Sequence, residues 1–473
     1  MQHLLVSALH KSSGKTIVSA GLCAALRARG LAVQPFKKGP DFIDPLWLSA
    51  AAGRDCHNLD FHTMDRDEVT ATFVRHAALA DVSIIEGTKG LFDGVSLDGS
   101  DSNAALAECL SSPVILVVDT RGMTRGIAPM IRGFQSFGQS SDHSIRIGGV
   151  ILNQVGGERH EGKLRAALEH YTDVPVLGAV GKNQQLAIEE RHIGLVPASE
   201  HAQASATVER IGRLVAAQVD LDRVLAVAGS HPGLARVQAR GPSERRVGAD
   251  VRLGVARDAA FGFYYPGDLE ALRAAGAELV FVDTLRDTAL PDIDGLFLGG
   301  GFPEMHMAAL AANTSLRAAI GGAIRAGLPV YAECGGLMYL SRSIRWGDSR
   351  AEMVGAIPVD VVMRDRPQGR GYVILEETGK GPWPGCRTAR IHAHEFHHSE
   401  LQNCAEDVEF AYRVVRGTGV DGSHDGIVHR NVLASYAHLR DTAANHWTRR
   451  FLGFIRMQRA GSGTSRWRQI QVG

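Results

Sequence analysis

The chain has 473 residues, with 51 lysines and arginines against 51 aspartates and glutamates, and 45% of its residues are hydrophobic. That length exceeds a single core and predicts two domains, while a net charge of zero offers no field for nucleic acid or an anionic membrane. Six cysteines at 23, 56, 109, 334, 386 and 404 form no C-x-x-C pair, which argues against a disulfide framework and a structural zinc site.

These thiols fit a reducing compartment, no apolar stretch approaches the roughly 18 residues of a membrane span, and the first strand leaves no room for a signal peptide. A cytoplasmic location is expected. In chain order, a strand over 4–8 leads into Ser12-Ser-Gly-Lys-Thr16, and a helix is predicted over 15–29, stopped by Gly30. Small residues before a helix N-terminus let backbone N–H groups converge on phosphate oxygens. Ser13, Gly14, Lys15 and Thr16 therefore read as an ATP phosphate loop, with Lys15 on the outer phosphates and the Thr16 hydroxyl on magnesium. The G-x-x-x-x-G-K-[ST] pattern fails at Leu9, and an ordinary serine helix cap is the alternative.

Strands over 32–37 and 82–86 run into loops bearing Lys37, Asp41, Asp44, Glu86 and Asp93. Ligands of open α/β sheets bind beyond the C-terminal strand ends, so these acids are expected near the phosphate loop. Magnesium prefers hard oxygens, which suggests Thr16, Asp41 and Glu86 as its ligands; solvated loop acids are the competing reading. Lys37 would hold an anionic substrate or be surface charge. Strands over 114–119, 147–152 and 176–180 complete a parallel sheet covered on both faces, because their apolar character is continuous rather than alternating. Asn153 at one strand end reads as an adenine-edge partner or a turn former.

Between 229 and 250 the pattern decays into breakers and charge, a linker between domains over 1–228 and 251–445. A second strand and helix series runs through 251–256, 278–282, 295–298 and 328–332, with added strands at 371–375 and 432–437. A C-terminal helix and frayed tail over 446–473 follow. Cys334 ends an apolar strand and opens the Gly335-Gly336 turn into a helix, where the positive helix end favours thiolate. A thiol nucleophile needs a base and an oxyanion hole. His438, at a strand end, is the candidate base, with a structural histidine as the alternative; the backbone N–H groups of Gly335 and of Gly300 are the candidate donors. His394-Glu-Phe-His-His398 matches H-E-x-x-H, but its strand-like context argues against the helix that zinc hydrolysis needs. A loop at substrate or at a domain interface is expected there.

Five stretches, QPFKKGPDFIDP (34–45), IEGTKGLFDG (85–94), GGGFPE (299–304), AECGGLMYL (332–340) and ASYAH (434–438), together resemble the cobyrinic acid a,c-diamide synthase family. The resemblance reaches from the start of the chain to about residue 440. It implies an α/β fold of two open, mostly parallel sheets wrapped by helices: a P-loop NTPase-like domain similar to dethiobiotin synthetase, then a flavodoxin-like class I glutamine amidotransferase domain. It implies that Cys334 attacks L-glutamine, assisted by His438, and that the ammonia amidates a tetrapyrrole polycarboxylate through an acyl phosphate made from ATP with Mg2+. Lys37, Asp41, Asp44, Glu86 and Asp93 would lie in the substrate or magnesium region. Small molecules are thus the expected partners, with neither nucleic acid nor membrane, and a homodimer is left open.

Two departures stand out. Many amidotransferases of the wider class carry glutamate two residues after the histidine, where this chain has Arg440, so the third member of the triad is unassigned. The glycine-rich start of the phosphate loop is replaced by Ala8-Leu-His-Lys-Ser-Ser. Family members amidate cobyrinate, hydrogenobyrinate, nickel sirohydrochlorin or sirohaem, so sirohaem amidation is the main alternative. A nucleotide-driven metal or cofactor chaperone is the alternative of another class.

Overall fold

The computed structural model describes residues 1–140, 145–183, 190–191, 194–198, 203–230, 248–384 and 390–461. The chain forms two compact units, Met1–Pro242 and Ser243–Gly473. Most of the expected linker over 229–250, and the expected tail beyond 461, lie outside the described residues.

The first unit is built on seven strands: β1 (Gln2–Ala8), β2 (Val33–Lys38), β3 (His57–Leu59), β4 (Val82–Glu86), β5 (Val114–Asp119), β6 (Ile147–Val155) and β7 (Val176–Gly181). Their order is β3-β2-β4-β1-β5-β6-β7, with every neighbouring pair parallel. Alternation along β1 shows why the apolar runs are continuous. Leu4 and Val6 join one core with Leu22, Trp47 and Ile211, whereas Leu5 joins the opposite core with Phe36, Phe73 and Leu116. The first helix, Lys15–Ala28, ends one residue earlier than expected, and Gly30 turns away at φ 87°. A short hairpin, β8 (Glu190–Arg191) and β9 (Gly194–Leu195), also belongs to this unit.

The second unit contains β10 (Val251–Ala256), β11 (Ala277–Val282), β12 (Gly295–Leu298), β13 (Val330–Glu333), β14 (Ser343–Trp346), β15 (Ser349–Glu352), β16 (Asp360–Met363), β17 (Gly369–Glu377), β18 (Ile391–His397), β19 (Ser399–Gln402), β20 (Glu409–Arg416), β21 (His424–His429) and β22 (Val432–Ser435). Nine of them form one sheet in the order β11-β10-β12-β13-β22-β21-β20-β17-β18. It is parallel from β11 to β22 and antiparallel from β22 to β18. The α/β class holds, and the antiparallel half is an extension of which the sequence showed only two strands. A separate small sheet has the order β15-β14-β16-β19.

The H-E-x-x-H stretch corrects an expectation, since it lies in and just past strand β18 and not in a loop. Four residues of extended chain separate His394 from His398 by roughly 13 Å. One zinc ion cannot bridge that span.

Candidate active site

In the first unit, the chain leaves β1 through Ser12, at φ 63°, and Gly14, at φ 83°, before entering the first helix. Both space and dihedral require glycine at 14, because a Cβ there would lie 2.2 Å from Asn153 Nδ2. Asn153 sits inside β6, not in a turn, and its amide donates to the Ser13 carbonyl at 2.9 Å. The side chain thus braces the phosphate loop, a contact absent from both readings of the sequence.

Behind the loop lies a buried charge cluster. Thr16 donates to Glu86 Oε1 at 2.9 Å, and Lys37 Nζ bridges Asp44 (2.6 Å) and Glu86 (2.7 Å). Burial and the Lys37 charge pull Lys15 down to about 8. Burial also works against the Lys37 ammonium, but Asp44 and Glu86 outweigh it and hold Lys37 well above its ordinary value. Burial acts upward on Asp44 as well, and there the Lys37 charge and hydrogen bond win, so its carboxyl is lowered. Asp41 goes the other way, to about 7, through burial and the adjacent Asp44 charge. Its Oδ1 accepts from the N–H groups of Ile43 and Asp44, at the start of the helix Ile43–Ala52.

Glu86 is fully buried and raised by that burial. Its Oε2 has no hydrogen-bond partner among the described residues. A buried carboxylate oxygen of this kind calls for a cation or a donor, and Thr16 and Glu86 together offer hard oxygen ligands. Asp93 stands at the edge of this cluster, where its charge acts on Lys15. It is exposed and its Oδ2 accepts from Gly90 N–H at 2.8 Å, closing its own loop. That loop is fastened to β1 through Gly87 N–H to the Val6 carbonyl and Leu91 N–H to the Ala8 carbonyl. Asn103, which the sequence did not flag, donates to the carbonyls of Thr88 and Gly90 and accepts from Thr88 N–H.

In the second unit, neighbouring parallel strands β13 and β22 place Glu333 opposite Ser435, and Cys334 N–H donates to the Ser435 carbonyl at 2.7 Å. The thiol and His438 are therefore carried just beyond adjacent strand ends. Cys334 adopts φ 47°, ψ −100°, a strained turn of the kind that lifts a nucleophile between strand and helix. The turn packs onto the 299–301 glycines. A Cβ on Gly336 would lie 2.2 Å from the Leu298 carbonyl oxygen, and one on Gly335 would lie 3.1 Å from Gly301 N.

Gly300 abuts the imidazole, since its Cβ would lie 2.5 Å from His438 Cε1. Gly300→Ala is expected to displace the ring and lower the rate of glutamine hydrolysis at least about tenfold. Measuring glutamate release alongside thermal unfolding checks this; an unchanged rate in a folded variant would remove Gly300 from the site.

Electrostatics corrects the expected thiolate. The helix after Cys334, Gly335–Leu340, is six residues long, and burial, with the Glu304 charge next, pushes the thiol well up. Burial, with a contribution from His397, holds His438 down to about 3. Burial thus favours a neutral thiol and a neutral imidazole, so proton transfer to His438 must accompany attack. Glu333, which the sequence reading passed over, has Oε2 3.4 Å from His438 Nδ1. An acid ending an apolar strand was the available signal. Arg440 takes no part in this pairing; its guanidinium lies over the Tyr265 ring at 5.1 Å.

Comparison with known proteins adds two domain assignments. Residues 252–445 match the family model of the CobB/CobQ-like glutamine amidotransferase domain, and residues 2–190 match that of an AAA domain. Cobyrinate a,c-diamide synthase of Magnetococcus marinus is 48% identical, covering 94% of this chain and 95% of that one. The enzymes of that name from Methanosarcina acetivorans (39%, covering 93% and 92%) and Listeria monocytogenes serotype 4b (40%, covering 93% and 96%) are similar along the same span. A solved glutamine amidotransferase aligns with 43% of this chain and 98% of its own, at 21% identity and TM-score 0.33. No described helix is long and apolar enough to cross a membrane.

Proposed function

The chain belongs to the cobyrinate a,c-diamide synthase family and is a glutamine-dependent carbon–nitrogen ligase that uses ATP, and we propose that it amidates the a and c acetate groups of cobyrinate. The observation that carries this reading is 48% identity along 94% of the chain, a span that reaches into both units.

In the second unit, Cys334 adds to the glutamine carboxamide as its proton passes to His438. The N–H groups of Gly300 and Gly335 face the developing oxyanion. His438 returns the proton to the departing ammonia, and water then hydrolyses the thioester to glutamate. In the first unit, the N–H groups of Ser13 and Gly14 and the Lys15 ammonium hold the ATP phosphates. The ring acetate attacks the γ-phosphorus, releasing ADP, and ammonia displaces phosphate from the acyl phosphate to leave the amide.

Thr16 and Glu86, whose Oε2 has no hydrogen-bond partner among the described residues, fit a magnesium ion, with Asp41 within reach of the Glu86 charge. When bound, that ion would neutralise charge on the phosphates. Lys37, pinned between Asp44 and Glu86, sets the shape of this acidic pocket. The use of ATP and glutamine as substrates supports a cytoplasmic location.

Incubation with ATP, Mg2+, glutamine and cobyrinic acid should convert two carboxyls to amides in succession, read by mass spectrometry. Sirohaem in a parallel reaction should remain unchanged. Amide formed only on sirohaem would overturn the substrate, and ATP turnover indifferent to both glutamine and ring would overturn the ligase reading.

A further inference from the structure

Class I amidotransferase chemistry needs more than a base near the thiol. The imidazole must be held in one tautomer, with Nε2 free to accept a proton, and the imidazolium that then forms must be compensated in a dry site. In this chain the position two residues after the base is Arg440, stacked on Tyr265. No carboxylate arrives from there.

One arrives from the strand beneath. Glu333 is the last residue of β13 and only 3% exposed. Its Oε1 accepts the Leu439 N–H at 2.9 Å and the Tyr331 hydroxyl at 2.5 Å, while Oε2 lies 3.4 Å from His438 Nδ1. One carboxylate thus grips the backbone next to the base and faces the ring of the base itself. Burying an acid is costly unless it is paired, and its uncommitted oxygen is turned to the imidazole.

We propose that Glu333, the residue immediately before the nucleophile, is the positioning residue that completes the triad, orienting His438 through Nδ1 and compensating its charge after proton transfer. This rests on the amidotransferase reading of the second unit. Of the neighbouring carboxylates, Asp425, raised by burial to about 6, accepts from the Gly426, Tyr436 and Ala437 N–H groups, and Glu395 accepts from the Thr418 and Gly419 N–H groups. His394 and His397 of β18 bring no negative charge, and His397 opposes the imidazolium. Burial raises Tyr264, Tyr412 and Tyr331 and holds Asp268 well above its ordinary value, with the Asp441 charge adding to the effect on Asp268. Burial also sets Glu333 at about 8, against the pull of Tyr331 and Leu439. Only ionised Glu333 can compensate the imidazolium formed on proton transfer, so glutamine hydrolysis should fall as pH drops through that value.

The test is Glu333→Gln, whose carboxamide can still accept from Leu439 N–H. The expected result is a loss in kcat for glutamine hydrolysis on the order of 10²-fold with little change in KM, loss of the acid limb of the pH profile, and a retained thermal transition. Tyr331→Phe, which removes a donor from Oε1, should move that limb to higher pH and serves if the first variant does not fold. Glu333→Gln with the parent's kcat and pH profile, or Tyr331→Phe with an unmoved limb, overturns the proposal while Cys334→Ser still tests the nucleophile. A parent protein that does not hydrolyse glutamine overturns the amidotransferase reading and this inference together.

Discussion

Cys334→Ser is expected to lose glutamine-dependent amidation by at least about 10³-fold while ammonium chloride still supports synthesis. The hydroxyl fits the same strained turn, but it is a far weaker acid than the thiol. Burial already pushes the thiol up, and a hydroxyl in its place gives up a proton to His438, held down to about 3, less readily still. The first unit is untouched by the change, so ammonia supplied from solution should bypass it. Stability should also survive, since the contact of Sγ with the Phe396 carbonyl is a weak 3.8 Å approach. Glutamate release and amide formation, measured separately with glutamine and with ammonium, decide the matter. A serine variant that still uses glutamine as the parent does would show that the nucleophile lies elsewhere.

Glu86→Gln should produce the complementary loss, on the order of 10²- to 10³-fold in amide formation whichever nitrogen source is supplied. Glutamine hydrolysis should persist. The carboxamide can still accept from Thr16 and Lys37, yet it removes the charge from the oxygen that has no partner in the cluster. Lys37 retains Asp44 at 2.6 Å, so the ammonium is not stranded, and the expected cost to stability is about 1–3 kcal/mol. Titrating Mg2+ at fixed ATP should show a weaker dependence on the metal in the variant. Equal loss of glutamine hydrolysis would instead indicate that the substitution damages the whole chain.

Much of this was legible in the sequence because the parallel strands are covered on both faces and so appear as continuous apolar runs. The ends of β1, β4 and β13 are recognisable for that reason, and with them Lys15, Glu86 and Cys334. The antiparallel half of the second sheet was harder to see. β18 shows alternating burial and carries four histidine and glutamate residues, so its polar content resembles a loop or a metal motif. β3 is three residues long and offers no periodicity. Partnerships across the sheet were equally hidden, because a contact such as Asn153 to Ser13 joins residues 140 apart. The thiolate expected for Cys334 failed on magnitude: a helix dipole adds little when only six residues follow and the sulfur is dry. Asp93 was expected near the phosphate loop and its charge does act on Lys15, but its tie to Gly90 N–H within its own turn was not readable from the sequence.

The seam between β13 and β22 has a bearing on biogenesis. Strands 13 and 22 pair in parallel, yet roughly a hundred residues of chain, including the small sheet and most of the antiparallel extension, must be threaded between them, and such non-local pairing forms slowly. Because Asn153, which braces the phosphate loop, precedes His438 by far in the chain, a nascent polypeptide can complete that loop before thiol and imidazole meet. Nitrogen release thus depends on a late-emerging segment, and a nascent chain that stops short of His438 has no base for it.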